Sequence, residues 1–179
     1  MSEKFIARLW TLERAELAEL RRSLAFDPGT HAPAFRVVEP YAMHTNYKWE
    51  GDAYYLVAGL FALIERPNPE RPPPKLETRN LGQSIAELYV SRQKSESIEK
   101  RFIALLDAEG EQLAYRLRQM IALLRDAAPI DWTKLLEDLR YWNSEEKRTQ
   151  RNWAKSFYRH LNTPEPTEQA APTLEEANT

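Results

Sequence analysis

Five basic side chains of this sequence have a spacing that could bind an extended polyanion. They are Lys147, Arg148, Arg151, Lys155 and Arg159. On a helix, at about 100° per residue, they fall within an arc of about 120°, and at about 1.5 Å per residue they extend over roughly 18 Å. That length can follow about three phosphates of a nucleic-acid strand. We call these five residues the basic stripe.

The charge pattern around the basic stripe leaves three interpretations open. A charged helix face is often merely solvated, but solvated faces usually mix signs, and no acidic residue interrupts positions 147 to 161. Like charges at neighbouring helical positions repel one another, which favours a compensating partner. That partner is either a nucleic-acid backbone or an acidic protein surface.

Other basic residues are weaker candidates for nucleic-acid contact. Arg21 and Arg22 end a predicted helix, where cations also interact favourably with the helix dipole. The remaining candidates surround a helix-helix turn or flank the apolar face of the next helix, and nearby glutamates could pair with some of them. They are Arg92, Lys100, Arg101, Arg116 and Arg118.

The residue inventory argues against catalysis. Without cysteine, the chain has no disulfide, no thiolate nucleophile and no cysteine-bound metal. The three histidines are scattered, and no glycine-rich phosphate-binding motif occurs. Asp107, Asp131 and Asp138 are interpreted as capping or surface residues rather than metal ligands. We therefore expect no enzymatic activity, no metal and no cofactor.

Hydrophobic periodicity predicts an all-α fold, a helical bundle of about seven or eight helices in two small lobes. Trp142 and Trp153 fall on apolar helix faces, so core packing is a better prediction for them than stacking on nucleobases. Asp52, Asp131 and Asn143 are predicted to begin helices, Asn143 in a capping box with a glutamate. The predicted helices are 3–24, 33–39, 52–65, 83–91, 97–108, 111–127, 132–142 and 143–161.

Proline and charge divide the chain into four predicted parts. These are an N-terminal helical lobe (1–65), a proline-rich connection (66–80), a C-terminal helical bundle (81–161) and an acidic disordered tail (162–179). The tail carries four glutamates and no basic residue, so the net charge of −2 hides a small positive excess in the rest of the chain. No apolar run is long enough for a membrane span and no signal peptide is evident, so we expect a cytoplasmic protein.

Several segments in order resemble the CasB-type small subunit of the type I-E CRISPR surveillance complex, Cascade. The resemblance covers roughly residues 8 to 160. The family's ending, the pattern Arg-x-Trp-Ala-x-x-Phe-Tyr, stands here at 151–158. The other segments are 33–40, 81–88, 101–108, 113–118 and 129–136.

The resemblance implies a non-catalytic helical subunit present in two copies within a guide-RNA complex. There it would contact the backbone and large subunits, and would stabilise the loop that forms when guide RNA pairs with target DNA. The physics agrees, because base pairing reads the sequence and protein cations need only hold strands. The basic positions carried over are Arg21 or Arg22, Arg92, Lys100 or Arg101, Arg116 or Arg118, Lys147, Arg148 and Arg151.

Overall fold

The computed structural model describes residues 1–68 and 76–162. In these residues the chain is helical, with no strand, which confirms the all-α prediction. A 3₁₀ turn (Ala32–Ala34) precedes the third helix. The helices are α1 (Ser2–Trp10), α2 (Arg14–Ser23), α3 (Phe35–Ala42), α4 (Lys48–Ile64), α5 (Leu81–Ser91), α6 (Glu96–Leu106), α7 (Glu111–Leu124), α8 (Trp132–Arg140) and α9 (Arg148–Leu161).

Helix α4 is the centre of the fold. Ten consecutive residues, from 53 to 62, are buried, so α4 is covered on all sides. It packs against α2, α3, α7 and α8. Phe61 makes edge-on contacts with Trp10 of α1 and with Trp132 of α8, at ring-centroid distances of 4.9 and 5.4 Å. One hydrophobic cluster therefore includes residues of both predicted lobes.

Two predicted features extend beyond the described residues. The middle of the proline-rich connection (69–75) and the tail from 163 onward lie outside them. The division into two lobes and the disorder of the tail stay predictions.

The predicted helix from 3 to 24 is wrong, because the chain breaks after α1. The Thr11 hydroxyl donates to the carbonyl of Arg8, 2.8 Å away. Glu16 then accepts a hydrogen bond at 3.1 Å from the backbone N–H of Glu13 and caps the start of α2. Periodicity concealed the break because Leu12, within it, is also buried.

Three other predicted boundaries are wrong. Pro40 lies inside α3, where it removes only one backbone hydrogen bond of a short helix that buries Val37 and Val38. Helix α4 begins before Asp52, whose carboxylate pairs with Lys48 at 2.6 Å. Helix α9 begins at Arg148 instead of after Asn143. Of the predicted caps, Asp131 is confirmed and accepts from the N–H of Lys134 at 2.9 Å.

Helices α5 and α9 approach so closely that only a glycine fits between them. A Cβ at position 82 would overlap the carbonyl oxygen of Trp153 and would lie 2.8 Å from its carbonyl carbon. Both are backbone atoms, which cannot move without displacing α9. The absence of a side chain at Gly82 therefore determines how α9 docks.

We expect Gly82→Ala to destabilise the protein by at least about 2 kcal/mol, because the added methyl group meets rigid backbone. Gly51→Ala in α4 is the matched control. Its Cβ would meet the Thr45 hydroxyl at an ordinary 3.4 Å, so the better helix propensity of alanine should leave stability unchanged or raised. Urea unfolding of both variants measures the difference, and equal effects would contradict the close approach.

A partly buried carboxyl group, that of Glu65, accepts a hydrogen bond from Nε1 of Trp132 at 2.9 Å. Burial raises the pKa of Glu65 above its usual range, although Trp132 and Arg66 act in the opposite direction. The folded state therefore binds the proton more tightly than the unfolded chain does. Stability should fall as pH rises through the folded-state pKa of this group.

Glu65→Gln keeps an oxygen acceptor for Trp132 but cannot ionise. We expect this variant to have a higher melting temperature than the wild type near pH 7 and to lose that advantage near pH 4, where Glu65 is protonated. Thermal unfolding at both pH values tests this. A constant difference between the two proteins would show that ionisation of Glu65 is not involved.

Candidate nucleic-acid interface

The position of α9 is fixed by a buried carboxylate on α8. The Asp138 carboxylate accepts a hydrogen bond from Nε1 of Trp153 at 2.7 Å. Asp138 also forms an ion pair with Nζ of Lys134 at 2.5 Å. Its backbone carbonyl accepts from the hydroxyl of Thr149 at 3.1 Å. Helix α9 is thus held by polar contacts near its start, while Phe157 packs on Phe102 further along, with ring centroids 4.6 Å apart.

The sequence prediction was right for the tryptophans and wrong for Asp138. Trp132, Trp142 and Trp153 are all buried, which confirms core packing for Trp142 and Trp153. Trp142 donates from Nε1 to the carbonyl of Ala108 at 3.0 Å. Asp138 is neither a cap nor a surface residue. Its role could not be inferred because Trp153 lies 15 residues away, across a turn.

The basic stripe faces solvent along α9. All five of its side chains are exposed, whereas Trp153 and Phe157 are buried on the opposite side. Lys147 precedes the first helical turn and has a left-handed backbone with φ of 46°. The predicted separation of an apolar and a cationic face is therefore present in the structure.

Lys147 and Arg148 make surface ion pairs with residues of the described part of the chain. Nζ of Lys147 lies 3.5 Å from a carboxylate oxygen of Glu109. Arg148 contacts Glu146 and holds the pKa of that carboxyl below its usual range. Exposed ion pairs of this kind contribute little to stability, so a phosphate can replace the carboxylates. Lys155 makes no ion pair with any residue of the described part.

The remaining candidates divide into paired and unpaired groups. Nε of Arg21 donates to the carbonyl of Ala62 at 2.9 Å, which gives Arg21 a structural role that the sequence did not reveal. Arg22 pairs with Glu19 at 2.5 Å, and Lys100 pairs with Glu96 at 2.7 Å. Among the described residues, the other four candidates make no ion pair; they are Arg92, Arg101 and Arg118, which are exposed, and Arg116, which is half-buried.

The structure does not bring all candidates onto one element. The stripe belongs to α9, and the others lie on α2, at the end of α5, on α6 and on α7. Nucleic-acid binding by any of them stays a prediction. In residues 1–68 and 76–162, no group of three or more acidic or histidine side chains could hold a metal ion, and no helix could cross a membrane.

We expect Trp153→Phe to cost about 1 to 3 kcal/mol beyond the loss of ring volume, because it removes a donor from the buried Asp138. Trp10→Phe is the control. Like Trp153, Trp10 packs against an aromatic ring, but its indole N–H makes no hydrogen bond within the described part of the chain. Urea unfolding should show the larger loss for Trp153→Phe, and an equal loss would remove Asp138 as the anchor of α9.

Comparisons with known proteins identify a family for this chain. Residues 16–158 match the family model described as CRISPR-associated protein Cse2. The CRISPR-associated protein Cse2 of Thermus thermophilus is 40% identical over 153 residues, which span 84% of this chain and 81% of the relative.

Solved structures show the same fold. CasB of M. ruber is similar with a TM-score of 0.74 and 37% identity, over 89% of this chain and 93% of that one. CasB from Thermus thermophilus is similar with a TM-score of 0.69 and 36% identity, over 88% of this chain and 97% of that one. A chain of a CRISPR RNA-guided surveillance complex is similar with a TM-score of 0.74 and 26% identity, over 89% of this chain and 92% of that one.

Proposed function

The chain belongs to the CRISPR-associated protein Cse2 family, and we propose that it is a non-catalytic structural subunit of a CRISPR guide-RNA complex, Cascade. In this role it binds nucleic-acid backbone and stabilises the loop formed by target DNA, including the displaced strand. The observation that carries the proposal is the continuous cationic face of α9, held rigidly by its buried side.

The shape of the stripe supports backbone binding. Its cations follow the axis of α9, as phosphates follow a strand, and they offer no donor arrangement specific to one base. A guide RNA supplies sequence recognition by pairing, so the protein needs only to hold backbone. Because α9 is already ordered, binding does not have to order the chain first.

Partners follow from the same proposal. The chain would contact the backbone and large subunits of Cascade, a second copy of itself, the guide RNA and the target DNA, in the cytoplasm. The similarity to a chain of a CRISPR RNA-guided surveillance complex supports membership in such an assembly. Weak binding by the isolated protein would be consistent, because the assembly raises the effective concentration of the strand.

The alternative is a helical scaffold whose stripe docks an acidic protein partner. Ionic strength distinguishes the two, because a strand releases condensed counterions when cations neutralise its phosphates. The logarithm of the DNA affinity then falls linearly with the logarithm of the salt concentration. An acidic protein surface on the stripe would leave DNA affinity independent of these residues.

A charge-reversal variant of the stripe tests the proposal. In Arg148→Glu/Arg151→Glu/Lys155→Glu, Lys147 is left unchanged because it precedes the first turn of α9. In a reconstituted guide-RNA complex, we expect target-DNA affinity to fall at least about tenfold. The salt slope, that is, the slope of log affinity against log salt concentration, should become shallower by up to about three, one for each lost phosphate contact. Incorporation of the variant is measured separately.

The control reverses the same number of charges elsewhere. Lys4, Arg14 and Arg36 are exposed cations on α1, α2 and α3. Reversing all three to glutamate changes the net charge equally but should leave the salt slope unchanged. If both variants reduce affinity equally, general charge is responsible; if the stripe variant binds normally, the scaffold function is favoured.

A further inference from the structure

A cavity of about 580 Å³ opens beside the amino-terminal end of the basic stripe. It lies between the loop after α2, the first turns of α4 and α7, and the end of α8. Trp142 and Asn143 line it, and the chain reaches Lys147 four residues later. Gly110 also lines the cavity and is next to Glu109, which pairs with Lys147 at 3.5 Å. This contact places the first cation of the stripe close to residues that line the cavity.

Exposed aromatic rings line this cavity. Phe26, Trp49 and Tyr115 all contribute to its walls, although each is more than a third exposed. Two of them already stack face to face with a neighbour. Phe26 lies on the His31 ring at 5.0 Å and 16°, and Trp49 lies on Tyr47 at 4.4 Å and 8°. Rings that are oriented but left open to solvent offer flat surfaces to a further ring.

The charges of the cavity differ from those of the stripe. Lys48 is neutralised by Asp52 at 2.6 Å. Asp27 and Glu111 also line the cavity, against one further cation, Arg118. This balance disfavours a phosphate. Carboxylate oxygens beside aromatic faces are suited to an uncharged ring that carries N–H donors, which is the chemistry of the amino-bearing nucleobases.

We propose that the cavity binds an unpaired nucleobase of the strand whose backbone lies on the basic stripe. The inference rests on the proposed function and deepens it. The phosphates stay on the cations of α9, and at the amino-terminal end of the stripe one base turns into the cavity. There it stacks against Trp49 or Tyr115, while Asp27 or Glu111 accepts from its amino group.

The test is a Trp49→Ala/Tyr115→Ala variant in the reconstituted guide-RNA complex. We expect target-DNA affinity to fall at least about fivefold, since stacking on an aromatic side chain contributes that much per base. The salt slope should stay unchanged, because no cation is lost. Trp49→Phe/Tyr115→Phe, which keeps both rings, should bind like the wild type.

Tyr141→Ala is the matched control. Tyr141 and Tyr115 are each 61% exposed, but Tyr141 does not line the cavity, so its loss should leave affinity unchanged. A second probe is target DNA with abasic positions along the displaced strand. The difference between wild type and Trp49→Ala/Tyr115→Ala should disappear on this DNA, because no base is left to stack.

Four results would overturn the inference. In the first, the alanine variant is incorporated and binds target with normal affinity; in the second, it loses affinity equally on abasic DNA. In the third, its affinity falls no more than that of Tyr141→Ala. In the fourth, incorporation fails while target binding by the incorporated fraction is normal, which would assign the cavity to a protein partner. The proposed function fails separately, through a stripe variant whose affinity and salt slope are unchanged.

Discussion

The close approach of α5 to α9 at Gly82 is the constraint on which the presentation of the basic stripe depends. With no side chain at this position, the backbone of α5 lies directly against that of Trp153. The indole ring of Trp153 can then reach Asp138 and close the contact between α8 and α9. A larger residue would move α9 as a whole, and the exposed cations would move with it.

This arrangement separates two tasks within a single helix. The buried side of α9 gains stability from aromatic packing and from the Asp138 carboxylate, which accepts from both Trp153 and Lys134. The exposed side carries like charges that oppose one another when no partner is bound. Packing on the first side is what keeps the second side ordered in the absence of nucleic acid.

Periodicity in the sequence predicted the helical fold and the two faces of α9, but not the contacts between residues that are distant in the sequence. Both faces of α9 follow from helical spacing, and the all-α fold follows from apolar patterns. The break after α1 was missed because Leu12 continues the pattern. Asp138 and Arg21 were misjudged because their partners, Trp153 and the carbonyl of Ala62, lie on other elements. Binding by the cationic residues remains a prediction, since it depends on a partner.

The backbone of Lys147 connects stability with natural selection. Its φ of 46° belongs to the left-handed region, where glycine or asparagine is less strained than lysine. A library selected for folding alone should therefore lose the lysine at this position. Selection for a working guide-RNA complex should keep it if its charge is needed. The frequency of lysine at position 147 can be compared between selection for folding alone and selection for a working complex. The difference would report how much stability the chain loses by placing a cation one residue before α9.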